Sequence, residues 1–492
     1  MNKLYVFGIG GTGVRVIKSL TFLLAAGVKL RNEFEIVPII VDPHIENENL
    51  KETNNLLKFY EKIRNTIGQD QDFFSTKIRT LKSLSENGTI PDTYYFKLGG
   101  SQHQKFKDFL QFDALSTANK ALVKALFSDE HLNTIMDIGF VGNPNMGSVV
   151  LNMFRESQEF KSFANSFSEG DRVFIVSSIF GGTGAAGFPI VLKNIRRADD
   201  SLDLANKDLL KNAPIGGLCV QPYFNVDADS DSSIQKADWM IKTKSAFDYY
   251  KKAVTNTDSQ SINAMYYLAD TAQGKSYKND PGGDGQKNPA HIVEMIGALS
   301  IIDYANMPDG ELQTVAGKPT ESFAKEFGVL NDKEKLSFTD FGEATKKQIS
   351  KPLTKLFFVL KYLKENIKKS KDQAFMKNEP SLSDSFFIDS FYATWLTRFI
   401  DEFDKWLNEM EENDRGFKPF NISAALPESV NDFTAEKGLF KKKLNYVLFN
   451  DYLNEAEKAE NKKYSDSPAI KLLDLLSKAS NKSIENYFKS LN

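Results

Sequence analysis

Two glycine-rich segments have the composition of loops that bind phosphate groups. The first, GIGGTGVR, covers Gly8 to Arg15, and the second, SIFGGTGAAGFP, covers Ser178 to Pro189. Each follows an apolar run and precedes a helical pattern. Glycine lets phosphate oxygens approach main-chain N–H groups, and the N-terminus of the following helix adds unpaired donors and the positive end of its dipole. In the first loop the candidate phosphate ligands are Gly8, Gly10, Gly11, Thr12 and Gly13.

The two loops also bear on the class of nucleotide-binding protein. Neither contains the lysine of the GxxxxGK[ST] motif, which argues against a P-loop NTPase. An NAD-dependent oxidoreductase uses a loop similar to the first, and Asp42, which ends the second apolar run, could hold its ribose. Such an enzyme needs only one glycine loop, and the sequence has no clear catalytic His or Lys constellation. An oxidoreductase is therefore only a third hypothesis.

Alternating strand and helix patterns around the loops predict an α/β fold. Leu4 to Phe7 has the pattern of a strand, Val14 to Leu24 that of a helix, and Ser233 to Ala253 that of another helix. Further strands are predicted at FEIVPIIVD, DRVFIVSSIF, PIGGLCVQPYF and AMYYLADT. Strands that alternate with helices form parallel sheets. We expect a Rossmann-like, doubly wound parallel sheet with both glycine loops at its carboxyl edge, where open α/β sheets bind ligands.

The patterns predict a nucleotide-binding domain at 1–306 and a helical C-terminal domain at 307–492. Residues from about 47 to 133 are polar and mostly helical in pattern, so a helical insertion in the first domain is expected. After residue 307 apolar residues repeat at spacings of three and four, which is typical of amphipathic helices. The aromatic residues expected to pack these helices together, rather than stack on a base, are Trp395, Phe399, Phe403 and Trp406.

Composition restricts the partners of the chain. With 62 Lys and Arg against 65 Asp and Glu, the formal net charge of −3 provides no basic field to hold nucleic acid or an anionic membrane. No stretch approaches about 18 uninterrupted apolar residues, and the N-terminus lacks a signal-peptide pattern. A single cysteine, Cys219, fits a reducing compartment. We expect a cytoplasmic protein without a membrane span or a nucleic-acid partner.

The second glycine loop resembles the signature segment of the tubulin/FtsZ superfamily. In that family a GGGTGxG loop wraps the phosphates of the nucleotide, and VFIVSSIFGGTGAAGFPIVLKNIR is similar to that segment. Phe180 stands where the family usually has its first glycine, which narrows the entrance of the loop. The resemblance implies phosphate contacts at Phe180, Gly181, Gly182, Thr183, Gly184 and Ala185, and Gly187 also matches the motif.

Three more segments resemble family loops in the family's order, so the likeness covers about residues 1–305. VGNPNMGS resembles a loop near the terminal phosphate and implicates Asn143, Asn145 and Gly147. CVQPYF resembles the strand end before the ribose loop, which implicates Asp227 in the acidic NVDADSD stretch. YLAD places Asp270 where the family has an asparagine that reads the base and sugar.

The resemblance implies GTP or GDP as the ligand, with the base inferred from the family, and Mg²⁺ beside the phosphates. Asp42 lies in the region where the family places groups near magnesium. Mg²⁺ keeps several waters and needs only one or two carboxylates in addition to phosphate oxygens. An aspartate that caps a turn before Pro43 is an equal alternative, and both interpretations stay open.

Three further side chains have a ligand-binding and a structural interpretation. Arg15 could neutralise phosphate charge or be a solvated side chain. His291 and Glu294 lie at i and i+3 on the helix that crosses beneath the base in the family. They could contact the base, or they could form a surface pair on a helix with Asn288 as N-cap and Pro289 at its first position.

Hydrolysis in the resembled family is completed by acidic groups of a neighbouring subunit. The matching stretch here is DYANMPDGE, in which Asp303 and Asp309 are the candidate catalytic acids. Asn306 and Asp309 stand one position further apart than in the family motif, and the leading glycine is missing. A displaced carboxylate loses the hydrogen-bond reach that polarises water, so we expect slow hydrolysis.

The leading hypothesis is a GTP-binding, slowly hydrolysing protein that assembles with itself or with a protein partner, similar to divergent bacterial tubulin-like proteins. The alternative is a non-hydrolysing module that senses nucleotide and acts through its helical region. The family's second domain contains a small four-stranded sheet, whereas the residues after 307 have helical patterns. This difference favours an atypical member of the family, which does not form long filaments by itself.

Overall fold

The computed structural model describes the chain at 1–30, 33–43, 47–69, 71–85, 90–96, 104–136, 140, 143–198, 204–226, 236–255, 260–270, 276–277, 288–326, 333–426, 429–430, 443–459, 464 and 467–488. Its strands are β1 (Lys3–Ile9), β2 (Glu35–Val41), β3 (Arg172–Ser178), β4 (Ile215–Val220), β5 (Asn225–Val226), β6 (Ala264–Leu268), β7 (Ser276–Tyr277), β8 (Thr314–Val315), β9 (Lys318–Pro319), β10 (Phe323–Glu326), β11 (Lys335–Leu336) and β12 (Gly416–Phe417).

The helices alternate with these strands in the first part of the chain and follow one another in the last part. They are α1 (Gly10–Ala25), α2 (Glu48–Ile67), α3 (Phe106–Phe109), α4 (Thr117–Leu126), α5 (Asp129–Asn133), α6 (Pro144–Leu151), α7 (Gln158–Ser166), α8 (Gly182–Arg196), α9 (Lys207–Lys211), α10 (Lys236–Tyr250), α11 (Ile292–Asn306), α12 (Glu343–Glu365), α13 (Ala374–Lys377), α14 (Asp384–Ile388), α15 (Thr397–Glu412), α16 (Tyr446–Ala459) and α17 (Pro468–Tyr487). None of the described helices is long and apolar enough to cross a membrane.

A six-stranded parallel sheet forms the centre of the fold, in the order β10-β6-β4-β3-β1-β2. Every residue of β1, β2, β3 and β4 is buried, as expected for near-continuous apolar runs covered on both faces. The predicted parallel α/β sheet is therefore confirmed. Its edge strand β10 comes from beyond residue 306, where the sequence places the boundary between the two domains.

Side chains alternate between the two faces of the sheet and divide the core into two layers. Leu4 and Val6 of β1 point to the layer that contains α1, α11 and the C-terminal helices. Tyr5 and Phe7 point to the layer that contains α6, α7 and α8. Because successive residues of a strand face opposite sides, a nearly uninterrupted apolar strand supplies both layers.

The C-terminal part is helical, as predicted, and shares the first core layer with the sheet. In the segment expected to be a helical insertion, α2 is the long element, and it packs on α1. Helix α15 lies across α1, since the rings of Phe399, Phe403 and Trp406 surround Phe22 at centroid distances of 5.0–5.5 Å. These aromatic residues are helix-packing groups, as the sequence indicates.

Candidate functional site

The two glycine loops meet at the carboxyl edge of the sheet. They follow β1 and β3, which are neighbouring parallel strands, and they lead into α1 and α8. Gly10 has a φ of +69°, a left-handed conformation that favours glycine. A Cβ on Gly10 would lie 3.4 Å from the backbone nitrogen of Gly184 and 3.6 Å from Cβ of Thr183. A ligand at this edge can therefore contact both helix N-termini at once.

Some glycines of the two loops are required by packing within the protein, and others are not. A Cβ on Gly13 would lie 2.6 Å from the carbonyl carbon of Gly8, and one on Gly184 would lie 2.5 Å from the backbone oxygen of Ser178. Packing within the protein explains these residues. A Cβ on Gly11 would meet only Nη1 of Arg15, at 3.4 Å. At Gly11 the described part of the chain leaves room for a side chain, so packing does not require glycine there.

Helix α6 brings the third predicted segment against the second glycine loop. A Cβ on Gly147 would lie 3.2 Å from the backbone oxygen of Gly182, so the two helices are in close contact. The side-chain oxygen of Asn143 caps α6 by accepting from the backbone N–H groups of Asn145 and Met146, at 3.0 and 3.2 Å. Asn143 thereby fixes the start of α6. Asn145, in the first turn of this helix, is exposed.

Asp42 follows β2 and lies beside the first loop, because Val41 is the register partner of Ile9. This is the position at which a single carboxylate could face a cation held by phosphate oxygens. In the described ranges, no cluster of three or more His, Cys, Asp or Glu side chains could hold a metal by itself. A magnesium ion here would need the phosphates as ligands.

Arg15 is held in a buried network at the start of α11. Its Nε donates to Glu294, its Nη2 donates to the Tyr223 hydroxyl at 2.7 Å, and that hydroxyl donates to the same Glu294 oxygen at 2.7 Å. Burial would lower the pKa of Arg15, but Tyr223 and Glu294 outweigh it, so the net pKa is raised and the guanidinium stays charged. Nη1, the nitrogen beside Gly11, has no hydrogen-bond partner among the described residues. The network thus turns one charged donor towards the first loop.

The helix α11 begins at a capping box made by the two residues that the sequence singles out. His291 is the N-cap, and its Nδ1 accepts from the backbone N–H of Val293 at 3.1 Å, while Glu294 accepts from the backbone N–H of His291 at 3.1 Å. Both side chains are buried. The alternative of a surface pair on a helix capped by Asn288 is wrong, because the helix begins three residues later than that pattern requires.

His291 is neutral and carries its proton on Nε2. Burial lowers its pKa, an effect that the nearby Arg15 and Arg415 reinforce and that Glu294 and Asp270 oppose. Since Nδ1 accepts a hydrogen bond, the proton of the neutral ring must be on Nε2. Within the described residues this Nε2–H has no partner. The side chain is only 7% exposed and lines a small cavity.

That cavity adjoins the first glycine loop through Arg15 and is small, with a volume of about 10 Å³, which is room for about one water molecule. It is lined by Arg15, Tyr223, Phe224, Asn288, Pro289, His291, Glu294 and Asn413. The sequence motifs do not single out the side chains of Tyr223, Phe224 or Asn413.

Aromatic rings dominate one wall of the cavity. Tyr223 packs edge-on to Phe224 at a centroid distance of 4.9 Å, and its ring lies 5.0 Å from that of His291. Phe180 contacts both aromatic residues. Phe180, which replaces the first glycine of the resembled motif, therefore packs against this aromatic wall. The CVQPYF segment contained a signal for Tyr223 and Phe224, since two aromatic residues directly follow a strand at the ligand-binding edge.

Asp270 follows β6 at the same edge and accepts from Nη1 of Arg415 at 3.3 Å. Its side chain is 8% exposed. Arg415 belongs to the C-terminal part, for which the sequence predicts a separate helical domain. Asp227, the other predicted ribose contact, lies outside the described residues.

The two candidate catalytic acids lie at the opposite edge of the sheet. Asp309 accepts from Nη2 of Arg172 at 2.5 Å, and Asp303 accepts from the Tyr266 hydroxyl at 2.6 Å and from Lys325 at 2.7 Å. Helix α11 has 15 residues, which corresponds to about 22 Å between its ends. The glycine loops and the two acids of one chain are therefore too far apart to act on the same phosphate. The side chain of Asp309 is 77% exposed.

Comparison of the sequence with protein-family models and with curated proteins finds no match. Among solved structures, the chain is similar to CetZ from Methanosaeta thermophila, with 13% sequence identity and a TM-score of 0.27. The similarity covers 55% of this chain and 46% of that chain, so it spans just under half the length of the matched protein.

Proposed function

We propose that the protein is a tubulin-like nucleotide-binding protein, which holds the phosphates of GTP or GDP between its two glycine loops. The observation that carries the proposal is the contact of the loops across β1 and β3, where a Cβ on Gly10 would lie 3.4 Å from Gly184. Backbone donors from two helix N-termini converge there, which is the arrangement that phosphate requires.

Arg15 and Asp42 complete the proposed phosphate site. The oriented Nη1 of Arg15 supplies a charged donor beside Gly11. Asp42, directly after β2, would face Mg²⁺ bound to the phosphates. The metal would neutralise phosphate charge, while Arg15 would keep the phosphates in register with the loop.

Any hydrolysis would need a second copy of the chain, because Asp303 and Asp309 lie at the far end of α11. The leading function is thus nucleotide-linked assembly with slow hydrolysis. The alternative, a non-hydrolysing nucleotide sensor, is favoured by the contact of Asp309 with Arg172, which anchors the carboxylate to its own chain. Asp309→Ala distinguishes the two. It should abolish turnover that rises with protein concentration in an assembling GTPase and should change nothing in a sensor.

The direct test of the proposal is the identity of the nucleotide that the purified protein carries. Denaturation followed by ion-exchange chromatography should release GTP or GDP in a stoichiometric amount. Protein that carries none should bind added GTP or GDP in calorimetry. Absence of binding to guanine and adenine nucleotides alike would refute a nucleotide-binding function.

Gly11→Val tests the position of the phosphate site. The branched side chain would occupy the ligand's space, while within the protein only Arg15 lies near it, so nucleotide binding should be lost and stability should change by less than about 1 kcal/mol. Calorimetry with GDP and urea unfolding measure the two effects.

Two glycine variants serve as controls. Gly184→Val should unfold at lower urea concentration, because its Cβ would overlap backbone atoms of Ser178. Gly310→Val has open space around it and should keep both stability and nucleotide affinity. Unchanged GDP affinity in Gly11→Val would contradict the assignment of the site.

A further inference from the structure

Pro189 interrupts the hydrogen bonding of α8, the helix that follows the second glycine loop. It lies in the interior of the helix and has no backbone N–H, so the carbonyl of Ala185, four residues earlier, lacks its usual helical donor. Ala185 lies in the first turn of α8 and is only 6% exposed. A buried carbonyl without a donor costs free energy, so another group has to satisfy it.

The hydroxyl of Tyr250 supplies the missing donor. Tyr250 is the last residue of α10, and its hydroxyl donates to the backbone oxygen of Ala185 at 3.1 Å, across 65 positions of the chain. The residue is 2% exposed, and burial raises the pKa of its hydroxyl well above the usual range, so the group stays protonated and donates. Tyr250 thus replaces, from a different helix, the hydrogen bond that Pro189 removes.

Packing of the Tyr250 ring fixes the direction of its hydroxyl. The ring stacks on that of Phe188 in α8, at a centroid distance of 5.3 Å and an interplanar angle of 23°. Phe188 in turn lies over Gly217 of β4, where a Cβ would come within 2.6 Å of the Phe188 ring. The end of α10 is therefore attached to α8 by one stacked pair of rings and one hydrogen bond.

Ala185 connects this hydrogen bond with the end of α8 that would bind phosphate. Its backbone N–H donates to the backbone oxygen of Gly181 at 3.1 Å, which closes the first turn. The preceding residue, Gly184, is packed so closely on the end of β3 that a Cβ would lie 2.5 Å from the backbone oxygen of Ser178. The first turn is thus held by β3 and by Tyr250. Its unpaired N–H groups can point at a phosphate only while the turn keeps this position.

We propose that Tyr250 is a positioning residue of the phosphate site, and that docking of α10 and phosphate binding at the second glycine loop stabilise each other through its hydroxyl. The inference rests on the proposed nucleotide-binding function and adds a residue that none of the sequence motifs contains. Tyr250 acts through Ala185 and not by contact with the ligand. Linkage makes the effect reciprocal, because bound phosphate must favour the docked α10 by the factor by which docking favours phosphate.

Tyr250→Phe tests the hydroxyl, since it keeps the ring that stacks on Phe188. Calorimetry on the full chain should show that affinity for GDP and for inorganic pyrophosphate falls about threefold to tenfold, the size of one neutral hydrogen bond. Both ligands should be affected equally, because both depend on the phosphate site. Tyr249→Phe is the matched control. It removes the hydroxyl of the adjacent tyrosine, which is 54% exposed, and should bind both ligands like the wild type.

Pro189→Ala separates positioning from a general loss of stability. It restores a backbone N–H at position 189, which can donate to the carbonyl of Ala185 as in an ordinary helix. In this background the change Tyr250→Phe should reduce affinity for the two ligands by less than about twofold, because the carbonyl no longer depends on the tyrosine. Urea unfolding without ligand is recorded for each variant, so that only folded protein is compared.

Hydrogen exchange tests the reciprocal effect in the wild-type chain. Amides of residues 245–250 should exchange about threefold to tenfold more slowly with pyrophosphate bound, and Tyr250→Phe should remove most of that difference. Three results would each overturn the inference and leave the proposed function standing: unchanged affinity in Tyr250→Phe, a loss that Pro189→Ala does not reduce, or exchange that pyrophosphate does not slow. Absence of GDP and pyrophosphate binding by the wild type would overturn both.

Discussion

At the scale of single residues, the charges buried beside the first glycine loop determine what the site can do. Arg15 and Glu294 have side chains that are only 6% and 1% exposed. A buried ion pair of this kind is better tolerated when further hydrogen bonds satisfy its polar atoms, and Tyr223 makes one hydrogen bond to each ion. The pair therefore joins α1, α11 and the segment after β4 into one wall.

Removing one member of this pair should separate its structural contribution from its ligand-binding contribution. Arg15→Met leaves the Glu294 carboxylate buried without its cation, so stability should fall by about 3–5 kcal/mol. Adding Glu294→Gln removes the uncompensated charge and should restore much of that loss. GDP affinity should stay low in the double variant, because Nη1 of Arg15 is gone.

Urea unfolding and calorimetry measure the two effects, and the single variant Glu294→Gln is the control for the second substitution. Wild-type GDP affinity in the stable double variant would show that Arg15 has no contact with the phosphates.

His291 should make stability depend on pH in a defined direction. Burial lowers its pKa in the folded state, so the unfolded chain binds this proton more readily. The stability that the neutral N-cap provides is present above the ordinary pKa of about 6.5 and is lost as pH falls below it. His291→Asn keeps a capping acceptor and removes the titration.

The free energy of unfolding in urea, measured at pH 7.5 and at pH 5.5, should fall more for the wild type than for His291→Asn. Glu294, Asp270, Arg15 and Arg415 surround the ring and are the same in both proteins, so the difference isolates His291. Equal losses in the two proteins would contradict a neutral, capping His291.

At the scale of elements, the packing of α15 on α1 joins the C-terminal part to the glycine-loop region. The apolar side chains of α15 recur at spacings of three and four, which places Phe399, Phe403 and Trp406 on one face. Charged groups flank that face, since Lys18 of α1 pairs with Glu402 and with Glu52 of α2. The first helix of the sheet domain is thus covered by the C-terminal part.

Trp406→Ala should show how much this packing stabilises the fold. The ring is fully buried against Phe22 and Phe403, so its removal should cost about 3–5 kcal/mol. Val447→Ala, at a residue that is 70% exposed on α16, should change stability by less than about 0.5 kcal/mol. Urea denaturation measures both. A loss below about 1 kcal/mol for Trp406→Ala would indicate that α15 is only loosely attached to α1.

At the scale of the whole molecule, the candidate phosphate site and the candidate acids occupy opposite edges of one sheet. Arg172, which is fully buried, donates to the backbone oxygens of Tyr304, Ala305 and Met307 and to Asp309. The end of α11 is therefore fixed to β3. Productive hydrolysis would require a second molecule to bring this end to the glycine loops of the first.

We expect slow turnover and no long unaided filaments when the protein is incubated with GTP and Mg²⁺. Positioning contributes much of the rate in such a reaction, and the acid loop is displaced relative to the motif that it resembles. Light scattering and phosphate release, recorded together at rising protein concentration, measure assembly and turnover. Asp309→Ala should bind GDP like the wild type, and Glu311→Ala is the control on the same exposed loop. Robust polymer whose turnover per molecule climbs steeply with concentration would contradict this expectation.

The sequence by itself determined the sheet and the two glycine loops, because those features depend on local patterns. Apolar runs such as DRVFIVSSIF form strands that are buried on both faces of the sheet. The backbone at position 10 has a φ of +69°, which glycine tolerates. Only the tertiary structure decided which distant side chains contact one another beside the loops. Arg15 meets Glu294 across 279 positions, and Arg415 meets Asp270 across 145. Such contacts depend on how the helices pack on the sheet, and no local pattern in Asn413 or Arg415 records that packing. The capping role of His291 could not be predicted for the same reason. It depends on the residue at which the chain enters α11, and the packing of that helix on the sheet decides this.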